Sequence, residues 1–188
     1  MRVKWMPLAV VMLTMGGWMV TTAVKAQVRG ADPNVNIMDN CSEDDTDYDE
    51  FGGCPEDAPF PGSNSYTGDV SVAEFFGLLF SPLAPGGQVI GHPSWRNEPS
   101  YLSIRAGQSL KVNNRGGRAH TFTEVADFGG GFVAPLNGAL ETAPECANPA
   151  ALTFVPYGGS EAVTGLQPGL HKFQCCIHPW MRGAVRVN

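Results

Sequence analysis

Three side chains near the C-terminus have the types and the spacing of metal ligands. Cys175, His178 and Met181 lie in the stretch 173–181 (FQCCIHPWM), each separated from the next by two residues. They offer a thiolate, an imidazole and a thioether, which are ligands of soft and borderline transition metals. A strand ending at Cys175, followed by a turn stiffened by Pro179, would let the three side chains converge. The stretch therefore predicts a copper site.

Each of these residues taken alone is more often structural, as a disulfide cysteine, a surface histidine or a core methionine. Three ligand types in one short loop favour the metal site over that alternative. One imidazole is still missing, because electron-transfer copper is held by two His and one Cys in a trigonal set with a weak axial Met.

A predicted strand after the turn 113–117 supplies the missing imidazole. His120 and Glu124 lie on the same face of this strand, since side chains alternate between the two faces. Glu124 could therefore approach the metal, which is the minor alternative. We predict one mononuclear copper site whose ligands are His120, Cys175, His178 and, in the axial position, Met181.

These residues resemble those of the cupredoxins, the blue-copper family that includes plastocyanin and amicyanin. The Cys-x-x-His-x-x-Met spacing is that of amicyanin, and Phe173 lies where these proteins have an aromatic residue two positions before the Cys. The run 106–113 and the segment 119–122 resemble the strands that bring in the first copper histidine. Where amicyanin has Asn after that histidine to restrain the site, this chain has Thr121, whose hydroxyl can do part of that work.

The resemblance covers residues 96 to 188 and implies an all-β fold, a Greek-key β-sandwich. The composition agrees, because 23 Gly and 15 Pro in 188 residues suit many short strands joined by turns. Alternating apolar residues predict strands in the segments 102–104, 110–112, 152–155, 162–166, 170–177 and 183–187. The segment 129–149, which carries Cys146, is interpreted as an inserted loop. Residues 75–80 are interpreted as a short helix or an irregular strand.

Acidic residues are concentrated before this domain. Cys41 and Cys54 flank the acidic run, so a local disulfide would close it into a loop. Residues 27–68 are therefore interpreted as an acidic, partly irregular extension, and residues 69–188 as the copper domain. The run 39–57 holds nine of the 18 acidic residues: Asp39, Glu43, Asp44, Asp45, Asp47, Asp49, Glu50, Glu56 and Asp57.

A solvated acidic loop is the favoured interpretation of this run. Binding of Ca²⁺ by Asp45, Asp47 and Asp49 and docking of a basic redox partner are the alternatives. The net charge of −6 argues against nucleic acid as a partner, since a protein that binds phosphates needs a basic face.

The first residues of the chain indicate export. Arg2 and Lys4 precede the apolar run 6–20, and small residues follow it. This pattern predicts a signal peptide over residues 1–26 and a periplasmic or secreted protein. The alternative is an uncleaved anchor, because the apolar stretch approaches the ~20 residues that span a bilayer. Contact with a membrane is expected only in that case.

Four of the five cysteines can be assigned to two disulfides by geometry and proximity. If Cys175 points inward to the metal, its neighbour Cys176 points the opposite way and cannot be a second ligand. A bridge between these adjacent residues would be strained. Cys41 and Cys54 suit each other by proximity, which leaves Cys146 for Cys176. We predict these two disulfides and a single free thiol on Cys175.

The predicted function is electron transfer. A ligand set held by strands changes little between Cu(I) and Cu(II), so little reorganisation opposes the electron. We expect a protein that is not an enzyme and that exchanges single electrons with a redox protein, such as a cytochrome or a copper enzyme, through the loop at His178 and Trp180. A copper carrier or storage protein and an accessory copper subunit of an oxidase or reductase are the alternatives. The sequence has no Met-rich or His-rich tract that would favour a carrier. It also has no second ligand set that would favour an enzyme subunit.

Overall fold

Ten short strands and two short α-helices make up the regular structure in the part of the chain that is described. The computed structural model describes residues 33–42, 44–51, 54, 68–79 and 91–188. The predicted signal peptide, residues 1–26, lies outside them. Among the described residues no helix is long and apolar enough to cross a membrane.

The elements follow one another in an order typical of an all-β protein. The strands are β1 (Asn34–Met38), β2 (Arg96–Glu98), β3 (Tyr101–Ile104), β4 (Leu110–Asn114), β5 (His120–Thr121), β6 (Thr123–Val125), β7 (Phe154–Val155), β8 (Ser160–Val163), β9 (Gly169–Gln174) and β10 (Arg182–Val187). The α-helices are α1 (Val72–Leu79) and α2 (Pro144–Ala147). Three 3-10 helices cover Thr46–Phe51, Ala134–Leu136 and Pro149–Ala151.

Two four-stranded sheets form a β-sandwich. One sheet has the order β2-β1-β4-β8 and the other β3-β10-β9-β6, while β5 and β7 form a separate pair. β1 runs parallel to β4, and β3 runs parallel to β10. Phe122 and Phe173 lie in the apolar core with their rings stacked at 4.4 Å, beneath the end of the sandwich that carries the predicted ligands. The predicted all-β, Greek-key sandwich is confirmed.

β3 and β4 do not form a hairpin, although they are consecutive and the sequence predicts both. β3 pairs with β10 in one sheet, and β4 pairs with β1 and β8 in the other. The turn at Gly107 therefore carries the chain from one layer of the sandwich to the other. Such crossings bring strands that are distant in sequence to the same end of the molecule.

β1 was not predicted, and it is an inner strand of the first sheet. It lies between β2 and β4, and its side chains alternate, with Val35 and Ile37 buried. This differs from the predicted extension over residues 27–68, because the described start of that segment is part of the sandwich. The physical reason is the short alternation of two apolar residues, which the polar surroundings conceal in the sequence.

The acidic run is held by specific contacts. The Asp45 carboxylate accepts hydrogen bonds from the amides of Asp47, at 3.0 Å, and Val72, at 2.7 Å. It therefore tethers the 3-10 helix Thr46–Phe51 to the N-terminus of α1, where a negative charge is stabilising. These contacts give Asp45 a structural role and do not support the calcium alternative.

Both predicted disulfides are present. Cys41 is bonded to Cys54 and Cys146 to Cys176, and Cys175 is the free cysteine. The second bridge attaches the inserted loop to the residue next to Cys175. The Phe132 amide also donates to the Cys176 carbonyl at 2.8 Å. The inserted loop is thus fixed against the segment that carries the predicted thiolate ligand.

Candidate metal centre

The chain changes its pairing partner at Phe122, and this change positions His120. β5 pairs with β7, so that His120 lies opposite Val155, whereas β6 pairs with β9, so that Thr123 lies opposite Gln174. Phe122 fills the core at the point of change. As a result the imidazole of His120 is fully buried at the end of the sandwich, close to the end of β9.

The segment after β9 folds into a closed loop. The Cys175 amide donates to the Met181 carbonyl at 3.0 Å, and the Met181 amide donates to the His178 carbonyl at 2.9 Å. The buried side chain of Asn97 on β2 also donates to the Met181 carbonyl, at 3.3 Å. These bonds fix the backbone at three of the predicted ligands.

Three of the four predicted ligands, His120, Cys175 and His178, meet where β5 contacts this loop. The Nδ1 atoms of His120 and His178 lie 3.8 Å and 3.7 Å from the Cys175 Sγ. All three donor atoms lie within 4.8 Å of one another, and all three residues are buried. Among the described residues this is the group of His, Cys, Asp and Glu side chains that could hold a metal ion.

The spacing of the donors fits a single ion. A nitrogen at about 2.05 Å and a sulfur at about 2.3 Å from one ion, about 120° apart, are separated by about 3.8 Å. The two measured N to S distances agree with that value. The residues therefore fit a trigonal site of two imidazoles and one thiolate, the set that prefers copper when a thioether is near.

Met181 ends the loop, and its burial is the observation that bears on its predicted role as the axial ligand. Its side chain is 1% exposed and belongs to the same apolar cluster as Cys175. A buried thioether beside His120, Cys175 and His178, hereafter the trio, is compatible with a weak axial ligand. The assignment of its sulfur as that ligand stays a prediction.

The Cys175 sulfur is prepared to carry a negative charge. Backbone amides of Thr121 and His178 both donate to Sγ at 3.4 Å. Burial would raise the pKa of the Cys175 thiol, but the hydrogen bonds and charges of His120 and His178 outweigh it and bring the pKa well below the ordinary value. A thiolate is the form that a metal binds.

Thr121 ties the strand of His120 to the loop of Cys175. Its backbone amide donates a hydrogen bond to the Cys175 Sγ, and its hydroxyl accepts one from the Cys176 amide at 2.7 Å. The residue after the first histidine therefore ties β5 to the Cys175 loop through two bonds. These bonds connect two of the predicted ligands to one rigid backbone frame.

Asp39 is a part of the centre that the sequence did not reveal. Its buried carboxylate lies 2.7 Å from the Nε2 atom of His120, on the side of the ring opposite the predicted metal. Burial would raise the pKa of Asp39, but the bonds from His120 and from the amides of Gly117 and Arg118 hold the pKa below its usual range. The sequence signal for this residue was hidden, because Asp39 belongs to a run that is predicted to be solvated.

The two imidazoles have different environments. Burial would lower the pKa of His120, but the contacts with Asp39 and Cys175 outweigh it and raise the pKa to about 9. Burial is the largest influence on His178 and lowers its pKa. The carboxylate of Asp39 therefore distinguishes the environment of His120 from that of His178.

Glu124 does not reach this centre, contrary to the minor alternative. Its side chain is exposed, and its carboxylate lies 2.6 Å from Nδ1 of His171. The alternation of side chains that would place it with His120 is broken at Phe122, where the strand divides into β5 and β6. Glu124 therefore points away from the metal side.

The pair of Glu124 and His171 predicts a pH effect that is separate from metal binding. The bond from Glu124 raises the pKa of His171 above its ordinary value of 6.5. Its stabilisation is therefore fully present below about pH 6.5 and is lost as the pH rises through the folded pKa. Glu124→Gln should lower the midpoint of the His171 NMR titration and cost less than about 1 kcal/mol at about pH 5.5. A changed copper spectrum in this variant would contradict the placement of Glu124.

An apolar cleft opens beside His178. It has a volume of about 330 Å³, and Phe75 of α1, Leu136 and Ile177 contribute to its walls. His178 itself is 8% exposed. His178 therefore contributes part of the wall of this cleft.

Trp180 lies beside the cleft and packs against Phe75 of α1 and Gly91. Its ring centroid is 5.5 Å from His178 and 6.0 Å from Phe75. Gly91 packs flat against the indole, since a Cβ at Gly91 would lie 2.1 Å from the Trp180 Cγ. Trp180 is therefore half-buried rather than open on the loop surface.

Comparisons with known proteins give structural matches. No family model matches the chain, and no curated protein matches it. A purple cupredoxin from Nitrosopumilus maritimus is 18% identical over 52% of this chain and 86% of its own, with a TM-score of 0.36. A Cu(I) amicyanin mutant is 20% identical over 50% and 73%, with a TM-score of 0.34. A mutant fern plastocyanin is 19% identical over 53% and 92%, with a TM-score of 0.34. All three are cupredoxins, the family whose copper loop residues 173–181 resemble.

Proposed function

We propose that this protein is a mononuclear blue-copper protein that carries single electrons. The observation that supports the proposal best is the buried trio of His120, Cys175 and His178, whose donor spacing fits one ion. Two imidazoles, one thiolate and a thioether as a weak axial ligand are the donor set of electron-transfer copper. Copper in such a site supplies a reversible change between Cu(I) and Cu(II).

The residues of the chain make this exchange easy by holding the donors in place. Cys175, Met181 and His178 are joined by backbone hydrogen bonds, and Thr121 joins His120 to the same loop. Because these bonds do not depend on the metal, the donor positions need little rearrangement when the charge changes. Burial of the trio excludes water, which would otherwise reorganise around each oxidation state.

Enzymatic activity is not part of the proposal. Substrate chemistry at copper needs an open coordination position or a second metal. Among the described residues one group that could bind a metal is found, and its three residues, His120, Cys175 and His178, are all buried. Tests for turnover with nitrite or oxygen should give no activity above that of free copper. Sustained turnover would favour the alternative of an oxidase or reductase subunit.

Export to an oxidising compartment is part of the proposal. It is supported by the signal-like pattern of residues 1–26 and by the two disulfides, which persist in the periplasm or outside the cell. Mass determination of the protein from its native compartment tests it. A chain that retains residues 1–26 in a membrane fraction would support the anchor instead.

A redox protein is the proposed partner, and the cleft beside His178 is the proposed place of contact. An apolar surface beside a buried metal ligand suits a transient contact, since it shortens the distance to the partner without strong binding. A second molecule of the protein can replace the partner in an experiment, because electron exchange between two copies is proposed to pass through the same cleft beside His178.

Leu136→Lys should slow electron self-exchange by about tenfold or more, because two like charges would meet at the contact. NMR line widths of mixed oxidation states measure the rate. Leu170→Lys is the matched control, since Leu170 is 47% exposed at the opposite end of β9 from Cys175. Equal rates in the two variants would place the exit elsewhere, with the acidic run as the next candidate.

The proposed function is tested most directly by the optical and electron-paramagnetic-resonance spectra of the oxidised, copper-loaded protein. A thiolate bonded to Cu(II) gives an intense visible charge-transfer band, so we expect a coloured protein that bleaches on reduction and recovers its colour on oxidation. A colourless protein with one zinc per chain would end the electron-transfer proposal. Copper that is released on each cycle would favour the carrier alternative.

A further inference from the structure

The carboxylate of Asp39 is buried, and both of its oxygens have hydrogen-bond partners. The residue is 0% exposed, although it begins the most acidic run of the chain. Its Oδ1 accepts hydrogen bonds from the amides of Gly117, at 2.9 Å, and Cys41, at 3.4 Å. Its Oδ2 accepts one from the Arg118 amide, at 3.1 Å, and lies 2.7 Å from the His120 Nε2.

The turn before β5 is shaped around this carboxylate. A Cβ at Gly116 would lie 2.0 Å from the Asp39 Oδ2 and 2.4 Å from its Cγ. A residue with a side chain therefore cannot occupy this position without displacing the carboxylate. Gly116 is held there in turn by a bond from its amide to the Asn114 side chain at 3.0 Å.

A buried charge is destabilising unless it is paired, so its presence beside a predicted metal ligand calls for a reason. The backbone amides of Gly117 and Arg118 could be satisfied by a neutral acceptor. The contact with His120 is different, because it joins the carboxylate to the outer nitrogen of a predicted ligand. An acceptor at Nε2 fixes the proton there and leaves Nδ1 free to bind a metal.

We propose that Asp39 is a positioning residue for His120 and that its charge favours the oxidised form of the metal centre. The inference rests on the proposed function for the choice of metal, and on the described contacts for the role of Asp39. A carboxylate that accepts from Nε2 makes the imidazole a stronger donor. Its negative charge attracts the doubly charged ion more than the singly charged one. Removal of the charge should therefore raise the reduction potential.

Asp39→Asn is the test variant, because it keeps the shape of the side chain and removes the charge. Its affinity for Cu(II) should fall by about 10- to 100-fold. If Cu(I) affinity is unchanged, each tenfold loss raises the potential by about 59 mV, the constant for a one-electron couple. Protein-film voltammetry measures the shift. A potential that is unchanged or lower would overturn the proposal.

Asp49→Asn is the matched control. It removes the same charge from the same acidic run, but the Asp49 side chain is exposed. Water and salt screen such a charge, so the potential should change little. Equal shifts in the two variants would assign the effect to net charge and overturn a specific role for Asp39.

A second measurement does not depend on copper chemistry or on the folding of a variant. In the Zn²⁺-loaded wild-type protein, which is diamagnetic, the His120 Nε2 proton should be visible by NMR and should exchange slowly with water, because it is buried in a bond to Asp39. Exchange as fast as that of a surface histidine would overturn the proposal. This outcome is independent of the spectrum that tests the electron-transfer function.

Discussion

Cys175→Ser should abolish the visible colour of the copper-loaded protein. The sulfur of Cys175 lies at the centre of the trio, with both imidazoles and two backbone amides directed to it. A serine hydroxyl does not ionise near neutral pH and offers a hard oxygen in place of a soft sulfur. The charge-transfer band should therefore disappear.

The affinity for copper should also fall, by more than the 10- to 100-fold that is typical of residues outside the ligand set. Absorption spectra and competition with a chelator measure the two effects. The fold should be retained, since Cys175 forms no disulfide. A variant that keeps an intense visible band would show that Cys175 is not the thiolate ligand.

Replacing the disulfide of Cys146 and Cys176 should have the largest effect on stability. The bridge joins residues 30 positions apart. The chain-entropy model gives a stabilisation of about 3 to 4 kcal/mol for a loop of that length. The double variant Cys146→Ser with Cys176→Ser should lose this amount of unfolding free energy, as measured by urea denaturation of the metal-free protein.

The colour of the double variant should be retained, because Cys176 lies on the far side of the strand from the trio, packed with Cys146 and Val125. It is therefore also the control for Cys175→Ser, since it removes two neighbouring sulfurs without touching the ligand. Replacing Cys41 and Cys54, which lie 13 positions apart, should cost about 0.7 kcal/mol less. A loss below about 1 kcal/mol in the first pair would contradict the loop-closure argument.

The approach of Cys175 and His178 to each other could be predicted because it depends on residues that are close in sequence. Cys175 and His178 lie within one short segment, and their spacing lets the two side chains meet, with the His178 Nδ1 3.7 Å from the Cys175 Sγ. His120 could also be predicted, because a turn and an alternating strand precede it. Each of these inferences uses information from neighbouring positions of the chain.

Asp39 and Glu124 could not be placed in this way. Asp39 meets His120 across 81 positions, and only the parallel pairing of β1 with β4 brings it there. Its acidic neighbours indicate a solvated loop, so the local signal points the wrong way. The error at Glu124 has a different cause, since simple alternation fails where Phe122 turns into the core and the strand changes its partner.

The parallel pairing of β1 with β4 has a consequence for when the site can assemble during synthesis. During synthesis Asp39 emerges before His120, and Cys175 and His178 emerge after both. The imidazole of His120 meets its carboxylate only after residues 34–38 have joined β4, and it meets the thiolate only after β9 is in place. The three donors therefore cannot come together until synthesis has passed His178, so a chain that stops before Cys175 should not bind copper in the proposed trigonal site.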